Sequence, residues 1–215
     1  MPDRPTQILE AAARLIARRG VRGLRVEELS AEAGVSTALI YYHFKDRAGL
    51  LRRTLEFISR RAVRYTDAAL ESSDDPRVQL TDMLLLELQD IAQVRENSAA
   101  WGELRATAVF NPDLREPLAG ATRAWVEDVA RLVHQVRSAD RGEAGAGPDG
   151  AGADGGGADG ADAAAYAAAE RLTGLTEGLS ERWLSGTTTL DRAHELIRGA
   201  VEVELPRTVR RPRHR

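Results

Sequence analysis

The chain contains no cysteine, which excludes a disulfide scaffold, a thiol nucleophile and a zinc site built on thiolates. Long apolar runs are also missing, because stretches such as Met83–Leu86 fall far short of the roughly 18 residues that span a bilayer. No basic and then apolar signal segment opens the chain. We therefore expect a cytosolic protein without a membrane partner, and its 215 residues allow one large domain or two small ones.

The formal net charge of −3 is a sum over unlike segments. Residues 1–62 hold 12 Lys+Arg against 7 Asp+Glu, a net +5, whereas residues 63–205 hold 13 against 26, a net −13. Residues 206–215 hold 5 against 0, again +5. We predict a basic head at 1–62 that meets a polyanion, an acidic body at 63–205 and a basic, disordered tail at 206–215. The tail is expected to be solvated, with DNA contact as the alternative.

Glycine is unevenly placed, since nine of the 19 glycines lie between Gly142 and Gly160. No apolar side chain larger than alanine occurs in that stretch, so it cannot bury enough surface to offset the entropy of ordering it. We predict a flexible acidic loop over 138–161, and a linker without further function is the simplest interpretation.

Elsewhere apolar residues recur at intervals of three and four, without the sustained alternation of strands, so we predict an all-α fold. Prolines and capping residues mark the expected starts of the helices, and glycines mark several ends. The predicted helices cover 5–19, 26–33, 37–44, a longer stretch after Asp46, and then 77–96, 98–110, 113–137, 162–185 and 189–205.

The most informative segment is 26–44, where two short helices meet across a turn at Gly34 with the spacing of a helix-turn-helix. Glycine takes the left-handed conformation that such a turn needs. Val35, Ile40 and Phe44 are predicted to point inward and to hold the second helix against the first. Ser36 is predicted to cap that second helix with its hydroxyl.

The remaining side chains of the second helix are predicted to lie on its outer surface and ends, where their chemistry suits the major groove of DNA. Hydroxyl, phenol and imidazole groups can bond phosphates or base edges, and the helix N-terminus offers free N–H donors to a phosphate. Lys45, the only lysine among 30 basic residues, directly follows the helix. The candidate DNA contacts are Ser36, Thr37, Ala38, Leu39, Tyr41, Tyr42, His43 and Lys45.

Residues 8–58 resemble the N-terminal DNA-binding domain of TetR-family transcriptional regulators. The features that carry the resemblance are Ile-Leu-x-Ala-Ala at 8–12, Arg-Gly at 19–20, Ala-Gly-Val-Ser at 33–36, Tyr-x-His-Phe-Lys at 41–45 and Leu-Leu at 50–51. The resemblance implies a homodimeric repressor that binds a palindromic operator and is controlled by a small-molecule effector. It implies DNA contacts for the following residues: Ser36, Thr37, Ala38, Tyr41, Tyr42, His43 and Lys45.

Two positions depart from the family pattern. Arg25 stands just before the second helix of the domain, where the family usually has a Ser or Thr that caps the helix and bonds a phosphate. Capping by a side-chain oxygen is therefore lost, although Arg25 can still reach a phosphate, and we include it among the DNA contacts. Leu39 stands where the family more often has a small or polar residue, so we expect an altered base preference.

The resemblance also implies a helical C-terminal half that dimerises through its last two long helices and encloses an effector pocket, and residues 175–183 resemble the BetI-like subset. The predicted dimer residues are Leu172, Leu175, Leu179, Trp183, Leu190, Leu196, Ile197 and Val201. The predicted pocket residues, for which ordinary core is the alternative, are Trp101, Leu104, Arg105, Ala108, Phe110, Trp125, Val129, Leu132 and Tyr166. Such a pocket suits a mostly apolar ligand whose one anionic or hydrogen-bonding end meets Arg105.

An enzyme and a purely structural helical bundle are the two alternatives to a DNA-binding regulator. An enzyme is not expected, because there is no cysteine, no P-loop, no His-x-x-x-His and no paired-carboxylate motif in an apolar setting. His43, His134 and His194 lack the spacing of metal ligands, so neither a metal nor a cofactor is expected. A purely structural helical bundle is the third possibility, but it leaves the basic head and the adjacent tyrosines unexplained.

Overall fold

A computed structural model describes residues 3–145 and 157–207, with side chains for 3–141 and 160–207. Over these residues the fold is all-α, as predicted, and no strand occurs among them. None of the helices in the described ranges is both long and apolar enough to cross a membrane. The helices are α1 (Arg4–Arg19), α2 (Val26–Ala33), α3 (Thr37–Phe44), α4 (Arg47–Thr66), α5 (Pro76–Leu86), α6 (Ala92–Ala108), α7 (Arg115–Gly145), α8 (Gly157–Leu184) and α9 (Leu190–Glu204).

Helix starts follow local chemistry. Five helices, α1, α3, α4, α5 and α9, begin after a residue whose side-chain oxygen accepts a backbone N–H of the first turn. These capping residues are Asp3, Ser36, Asp46, Asp75 and Thr189. The starts and ends of α2 and α3 coincide with the predicted ranges because strong local signals surround both helices.

The N-terminal head is built from α1, α2, α3 and the first turns of α4, packed around buried residues such as Ile8, Leu29 and Leu51. Helix α6 belongs to the same core, because Ala100 and Leu104 are buried in that cluster. The predicted boundary after residue 62 therefore lies inside α4, and the head shares its core with one helix of the body.

The body has a second core, formed by α5, α7, α8 and α9. The two longest helices, α7 and α8, pack against each other, and α9 packs on α8. Buried residues such as Leu84, Val133, Leu172 and Ile197 fill the space between them. Helices α4 and α6 contribute buried residues to the head core and also contact helices of the body.

The predicted helix over 77–96 is wrong, because α5 ends at Leu86 and α6 begins at Ala92. The carbonyl oxygen of Leu86 accepts a hydrogen bond from Gln89 Nε2 at 2.8 Å. That of Leu88 lies 2.7 Å from His194 Nε2 on α9. The apolar spacing of the sequence continues through the break, because Leu88 is fully buried although it is not in a helix. The contact with His194, over a hundred residues away, helps to stabilise the break.

The predicted loop over 138–161 is too long. Residues 138–145 continue α7, and 157–161 already belong to α8, because alanine, arginine and glutamate in these flanks support helix and both ends extend packed helices. The central part of the predicted loop, 146–156, lies outside the described residues, as do residues 208–215 of the predicted tail.

Candidate nucleic-acid interface and ligand cavity

Helix α3 is held on the head by one apolar side. Ile40 and Phe44 are buried and Val35 is half-buried against the same core, as predicted. Gly34 has φ +62°, and the turn closes with a hydrogen bond from Val35 N to Ser30 O at 3.1 Å. The Ser30 hydroxyl donates to the Val35 carbonyl oxygen. The turn therefore sets the angle at which α3 leaves α2.

The opposite side of α3 is open to solvent. The side chains of Tyr41 and Tyr42 are 50% and 79% exposed, which is far more than aromatic residues need for packing. Ser36 and Ala38 are also exposed, and Ser36 Oγ accepts the Leu39 N–H at 3.2 Å. The other candidate contacts on this helix, Thr37, Leu39 and His43, are half-buried.

The N-terminus of α2 differs from that of α3. Arg25 occupies the capping position there, is exposed, and makes no capping hydrogen bond, as the sequence predicted. Its guanidinium is therefore not committed to the helix. An exposed arginine beside free backbone N–H groups is a suitable phosphate contact.

Lys45, which joins α3 to α4, has a strained backbone. Its φ of +64° places a residue with a side chain in the left-handed region. The N–H of Asp46 donates to the Phe44 carbonyl oxygen at 2.7 Å, which closes a γ-turn around Lys45. Gly49 makes this turn possible, because a Cβ at that position would lie 2.3 Å from Phe44 O. The exposed lysine is thus held at the end of α3 by a turn with little freedom.

A polar contact joins the head to α6. Glu103 Oε2 accepts a hydrogen bond from the buried Val21 N–H at 3.1 Å, and the Val21 carbonyl accepts one from Arg47 Nη2 at 2.5 Å. Gly20, at φ +71°, permits this approach, since a Cβ there would lie 2.7 Å from the Glu103 carboxylate. These hydrogen bonds connect α6 to Val21, in the segment between α1 and α2, and through Val21 to Arg47 at the start of α4.

A cavity of about 260 Å³ lies beside α6, enclosed by α4, α7 and α8. Its volume is near the lower end, about 300 Å³, of the usual range for small-molecule sites, which indicates a small ligand. Three of the predicted pocket residues line it: Trp101, Arg105 and Trp125.

The other six predicted pocket residues do not line the cavity. Leu104 and Ala108 are buried in the head core, against which the cavity-lining Trp101 also packs. Val129 and Leu132 are buried in the body core, against which Tyr166 also packs. Phe110 follows the end of α6 and is 82% exposed. Apolar residues were poor guides because most of them fill the two cores rather than the space between them.

Sequence reasoning missed the polar wall of the cavity. Carboxylates outnumber guanidinium groups there, since Glu87, Asp128, Glu177 and Glu181 face only Arg60 and Arg105. Neutral polar groups complete the wall: Ser59, Thr66, Asn97, Ser98, Thr176 and Ser180. Three of these four carboxylates are paired, Glu177 and Glu181 with Arg105 and Asp128 with Arg131.

Glu87 is held by a hydrogen-bond network that includes Tyr65. The Tyr65 hydroxyl donates to Glu87 Oε2 at 3.2 Å and accepts from Asn97 Nδ2 at 3.3 Å. Arg61 Nε donates in turn to Asn97 Oδ1 at 2.8 Å. Burial raises the pKa of Glu87 to about 7, the hydrogen bond from Tyr65 opposes the rise, and the charge of Glu177 adds to it. Near neutral pH this carboxyl is therefore divided between its protonated and ionised forms.

Arg105 is already paired. Its Nη1 lies 2.8 Å from Glu177 Oε2, and its Nη2 pairs with Glu181. Trp101 Nε1 donates to the other oxygen of Glu177 at 3.3 Å. The guanidinium predicted to meet an anionic or hydrogen-bonding ligand group is thus engaged by two carboxylates of the chain itself. No cluster of metal-ligating side chains occurs within the described residues.

The predicted dimer residues mostly fail a simple requirement. Leu172, Leu179, Trp183, Ile197 and Val201 are buried within the chain itself, so they cannot form a surface between two chains. The spacing of three and four identified the inward faces of α8 and α9 instead of the outward ones.

The remaining predicted dimer residues have some exposure. Leu175 is exposed, whereas Leu190 and Leu196 are half-buried against the body core. Of the eight predicted residues, Leu175 is thus the one with an exposed side chain.

Comparisons with known proteins agree with the fold. The family described as bacterial regulatory proteins, tetR family, matches residues 8–54. A TetR-family transcriptional regulator from Rhodococcus sp. is 40% identical, with 95% of this chain and 100% of that chain covered and a TM-score of 0.78. A transcriptional regulator from Saccharomonospora viridis, solved in complex with choline, is 25% identical over 92% of this chain and 95% of its own, with a TM-score of 0.73.

A curated relative extends the likeness to a subset of the family. The HTH-type transcriptional regulator BetI of Brucella anthropi is 28% identical over 140 residues, which are 65% of this chain and 72% of the relative. With a helix-turn-helix head that presents α3 to solvent, and a full-length structural relative at 40% identity, this chain belongs to the TetR family of DNA-binding transcriptional regulators.

Proposed function

We propose that this protein is a homodimeric repressor that binds a near-palindromic operator and is controlled by a small cationic effector. The observation that carries the proposal is the exposed outer side of α3, with Tyr41 and Tyr42 open to solvent. Helices of this size fit the major groove, and two heads would read half-sites about 34–36 Å apart or a multiple of that distance. The head thus serves DNA binding, whereas the body serves dimerisation and effector binding.

The DNA contacts divide by chemistry. Arg25, Lys45 and the Ser36 hydroxyl suit phosphates, because they lie at helix ends with charge or free donors. Tyr41 and Tyr42 suit base edges and sugars. Of the smaller contacts, Thr37, Ala38 and Leu39 suit thymine methyl groups, and His43 lies beside Tyr42 with ring centroids 5.1 Å apart.

The dimer surface is proposed to be the outward side of α8 and α9. Leu175 is 38% exposed and Val203 is 79% exposed. A Cβ added at Gly174, Gly178 or Gly199 would meet no atom within 4 Å. Exposed apolar side chains between glycines allow helices of a second copy to approach closely.

The effector is proposed to be a small organic cation such as a quaternary ammonium compound. Two indole rings, of Trp101 and Trp125, line a cavity with surplus carboxylates, and such rings attract cations through their faces. The structural relative from Saccharomonospora viridis was solved with choline, which has this chemistry. An effector shifts the DNA affinity only if it binds the two conformations unequally.

DNA binding is tested by selection from a random double-stranded library, followed by fluorescence anisotropy on the selected sequences. We expect inverted repeats and an affinity whose logarithm falls by about 0.9 per neutralised phosphate as log salt rises. Selection of no sequence, or of single asymmetric sites, would contradict the proposal. Repression is tested by placing the selected site over a reporter promoter, where activation would contradict it.

Effector binding is tested by titrating choline and following tryptophan fluorescence, since two of the three tryptophans line the cavity. The matched control is dimethylbutanol, in which carbon replaces the ammonium nitrogen. Choline is expected to bind and to change operator affinity, whereas the neutral analogue is not. Equal binding of both compounds would argue against a cation site.

The dimer surface is tested by the double substitution Leu175→Arg and Val203→Arg, followed by sedimentation. We expect a monomer whose operator affinity falls about a hundredfold, because the second head no longer benefits from being linked to the first. The matched control is Leu70→Arg with Val78→Arg, which places two arginines at exposed apolar positions elsewhere, 42% and 39% exposed. A double variant that stays dimeric would refute this surface.

A further inference from the structure

Arg105 bridges two helices at the edge of the cavity. From α6 its guanidinium reaches two carboxylates of α8, Glu177 at 2.8 Å and Glu181. Glu177 is also bonded by the indole N–H of Trp101, so the arginine, the carboxylate and one ring of the cavity form a single connected group. All four side chains line the cavity.

These carboxylates are the same groups that would attract a cationic ligand. We propose that Arg105 is a tethered cation that occupies the ligand's carboxylate site in the unliganded protein, and that an effector cation binds by displacing it. The inference rests on the proposed function, because it concerns the same cavity. It goes beyond the proposed function because Arg105 competes with the effector for the same carboxylates.

The pair is exposed enough to exchange. The side chain of Arg105 is 33% exposed and that of Glu181 is 54% exposed, so a released guanidinium has direct access to water. Ion pairs of this exposure contribute little net stability, and a second cation can replace one partner at small cost. The neighbouring pair of Arg61 with Glu96 is different, because Arg61 is 7% exposed and would be left as a buried, uncompensated charge.

The exchange has a thermodynamic consequence. A ligand that binds only when Arg105 has left its site has an apparent affinity reduced by the fraction of molecules in that open state. Arg105 therefore sets the ligand concentration at which the protein responds. It also selects against neutral ligands, because these cannot compensate the two carboxylates that the guanidinium leaves behind.

The same displacement breaks a tie between α6 and α8. Helix α6 carries Arg105 toward the cavity. The same helix contributes Leu104 to the head core, and its Glu103 carboxylate accepts a hydrogen bond from the Val21 N–H. Release of Arg105 thus frees the helix that the head packs against, which links cation binding to the position of the head.

The test compares Arg105→Met with Arg60→Met, using tetramethylammonium and choline as probes and calorimetry as the measurement. Arg60 lines the same cavity but is exposed, so its removal reports the general electrostatic effect of one lost positive charge. We expect Arg105→Met to bind the cations about tenfold more tightly than the wild type, whereas Arg60→Met should gain only about twofold from the lost charge.

Arg105→Lys keeps the charge but has no planar fork to bridge two carboxylates, so about threefold tighter binding is expected. It also protects the test against a misfolded methionine variant, and thermal melting of all three variants verifies folding. If the wild type binds cations and neither Arg105 variant binds them more tightly, the inference fails and the cationic effector stands. If neither the wild type nor any variant binds a cation, both fail. Weaker binding by Arg105→Met would show that the guanidinium assists the ligand.

Discussion

The head and the cavity are built on opposite principles. The head presents its functional side chains on one short helix, α3, outside a core that local sequence specifies, and Tyr42 is 79% exposed. The cavity gathers its functional side chains from four helices and the turn after α5, and it holds several carboxylates in partly buried positions. A surface that contacts a large, charged partner can be formed by residues that are adjacent in sequence. A site for a small molecule needs walls on several sides, and these come from residues far apart in sequence.

Electrostatics follow the same division. The head carries a net charge of +5, which attracts a polyanion. Side chains proposed to contact DNA, such as Tyr42 and Lys45, are exposed to water. In the cavity, burial and neighbouring charge shift protonation, with Glu87 as the clearest case. Changes in the head are therefore expected to affect DNA binding alone, and changes in the cavity to affect ligand binding first.

The largest expected effect separates the two regions directly. Replacing Tyr41 and Lys45 together with Ala should lower operator affinity by about a thousandfold or more, since a dimer loses four contacts and each contributes at least about 1 kcal/mol. Choline affinity and the sedimentation coefficient should not change. The control, Arg123→Ala, removes an exposed charge from the body, and unchanged DNA affinity in the double variant would refute the contact assignment.

The second prediction uses pH to mark the cavity. Because the pKa of Glu87 is raised to about 7, the ionised form that attracts a cation should fall about tenfold in population from pH 8 to pH 6, and choline affinity with it. The same shift means that this group's contribution to stability falls as pH rises from about 4.5 to about 7.

The control for this pH dependence is Glu87→Gln, which should bind choline weakly and with little dependence on pH. Operator affinity of the unliganded protein provides a second comparison, because Glu87 lies away from α3. A wild-type choline affinity that is constant between pH 6 and pH 8 would exclude Glu87 from the cation site.

The third prediction sharpens the comparison within the head, at the two helix starts. Ser36→Ala removes the cap of α3 and should lower the free energy of unfolding by about 1 kcal/mol, whereas Arg25→Ser adds a cap to α2 and should raise it by about 1 kcal/mol. Urea unfolding measures both. Arg25→Ser exchanges a charged guanidinium for a hydroxyl that can still bond a phosphate, so DNA affinity should fall only modestly and its salt dependence should become shallower. If both variants have the wild-type free energy of unfolding, neither cap contributes to stability.

The smallest expected effect lies between the two regions. Glu103→Ala leaves the buried Val21 N–H without its acceptor and should reduce the factor by which choline changes operator affinity about threefold. Glu103→Gln keeps an acceptor oxygen at the same place and serves as the matched control. If both variants respond to choline like the wild type, this contact does not couple the regions.

Prediction from sequence succeeded where information is local. The bounds of α2 and α3 and the inward positions of Ile40 and Phe44 follow from capping, glycine and apolar spacing within about 20 residues. The same reasoning failed between α5 and α6, because the contact between His194 and the Leu88 carbonyl comes from a helix over a hundred residues away.

In the body, apolar spacing identified buried faces but could not tell core from interface. Leu172 and Leu179 have the spacing expected of a dimer surface, yet they face the chain's own α7 and α9. A helix buried on one side and paired on the other has two apolar faces, and sequence alone does not say which of them meets the same chain.

The all-α fold, the helix-turn-helix and the family can be predicted from the chain, because helix periods, caps and turns are encoded by neighbouring residues. The carboxylates that line the cavity, the pairing of Arg105 with Glu177 and Glu181 and the raised pKa of Glu87 arise only when distant helices pack together. These properties depend on which charges meet in a space of low water content, and the strength of their interaction is set by distance and burial. Neither quantity can be read along the chain.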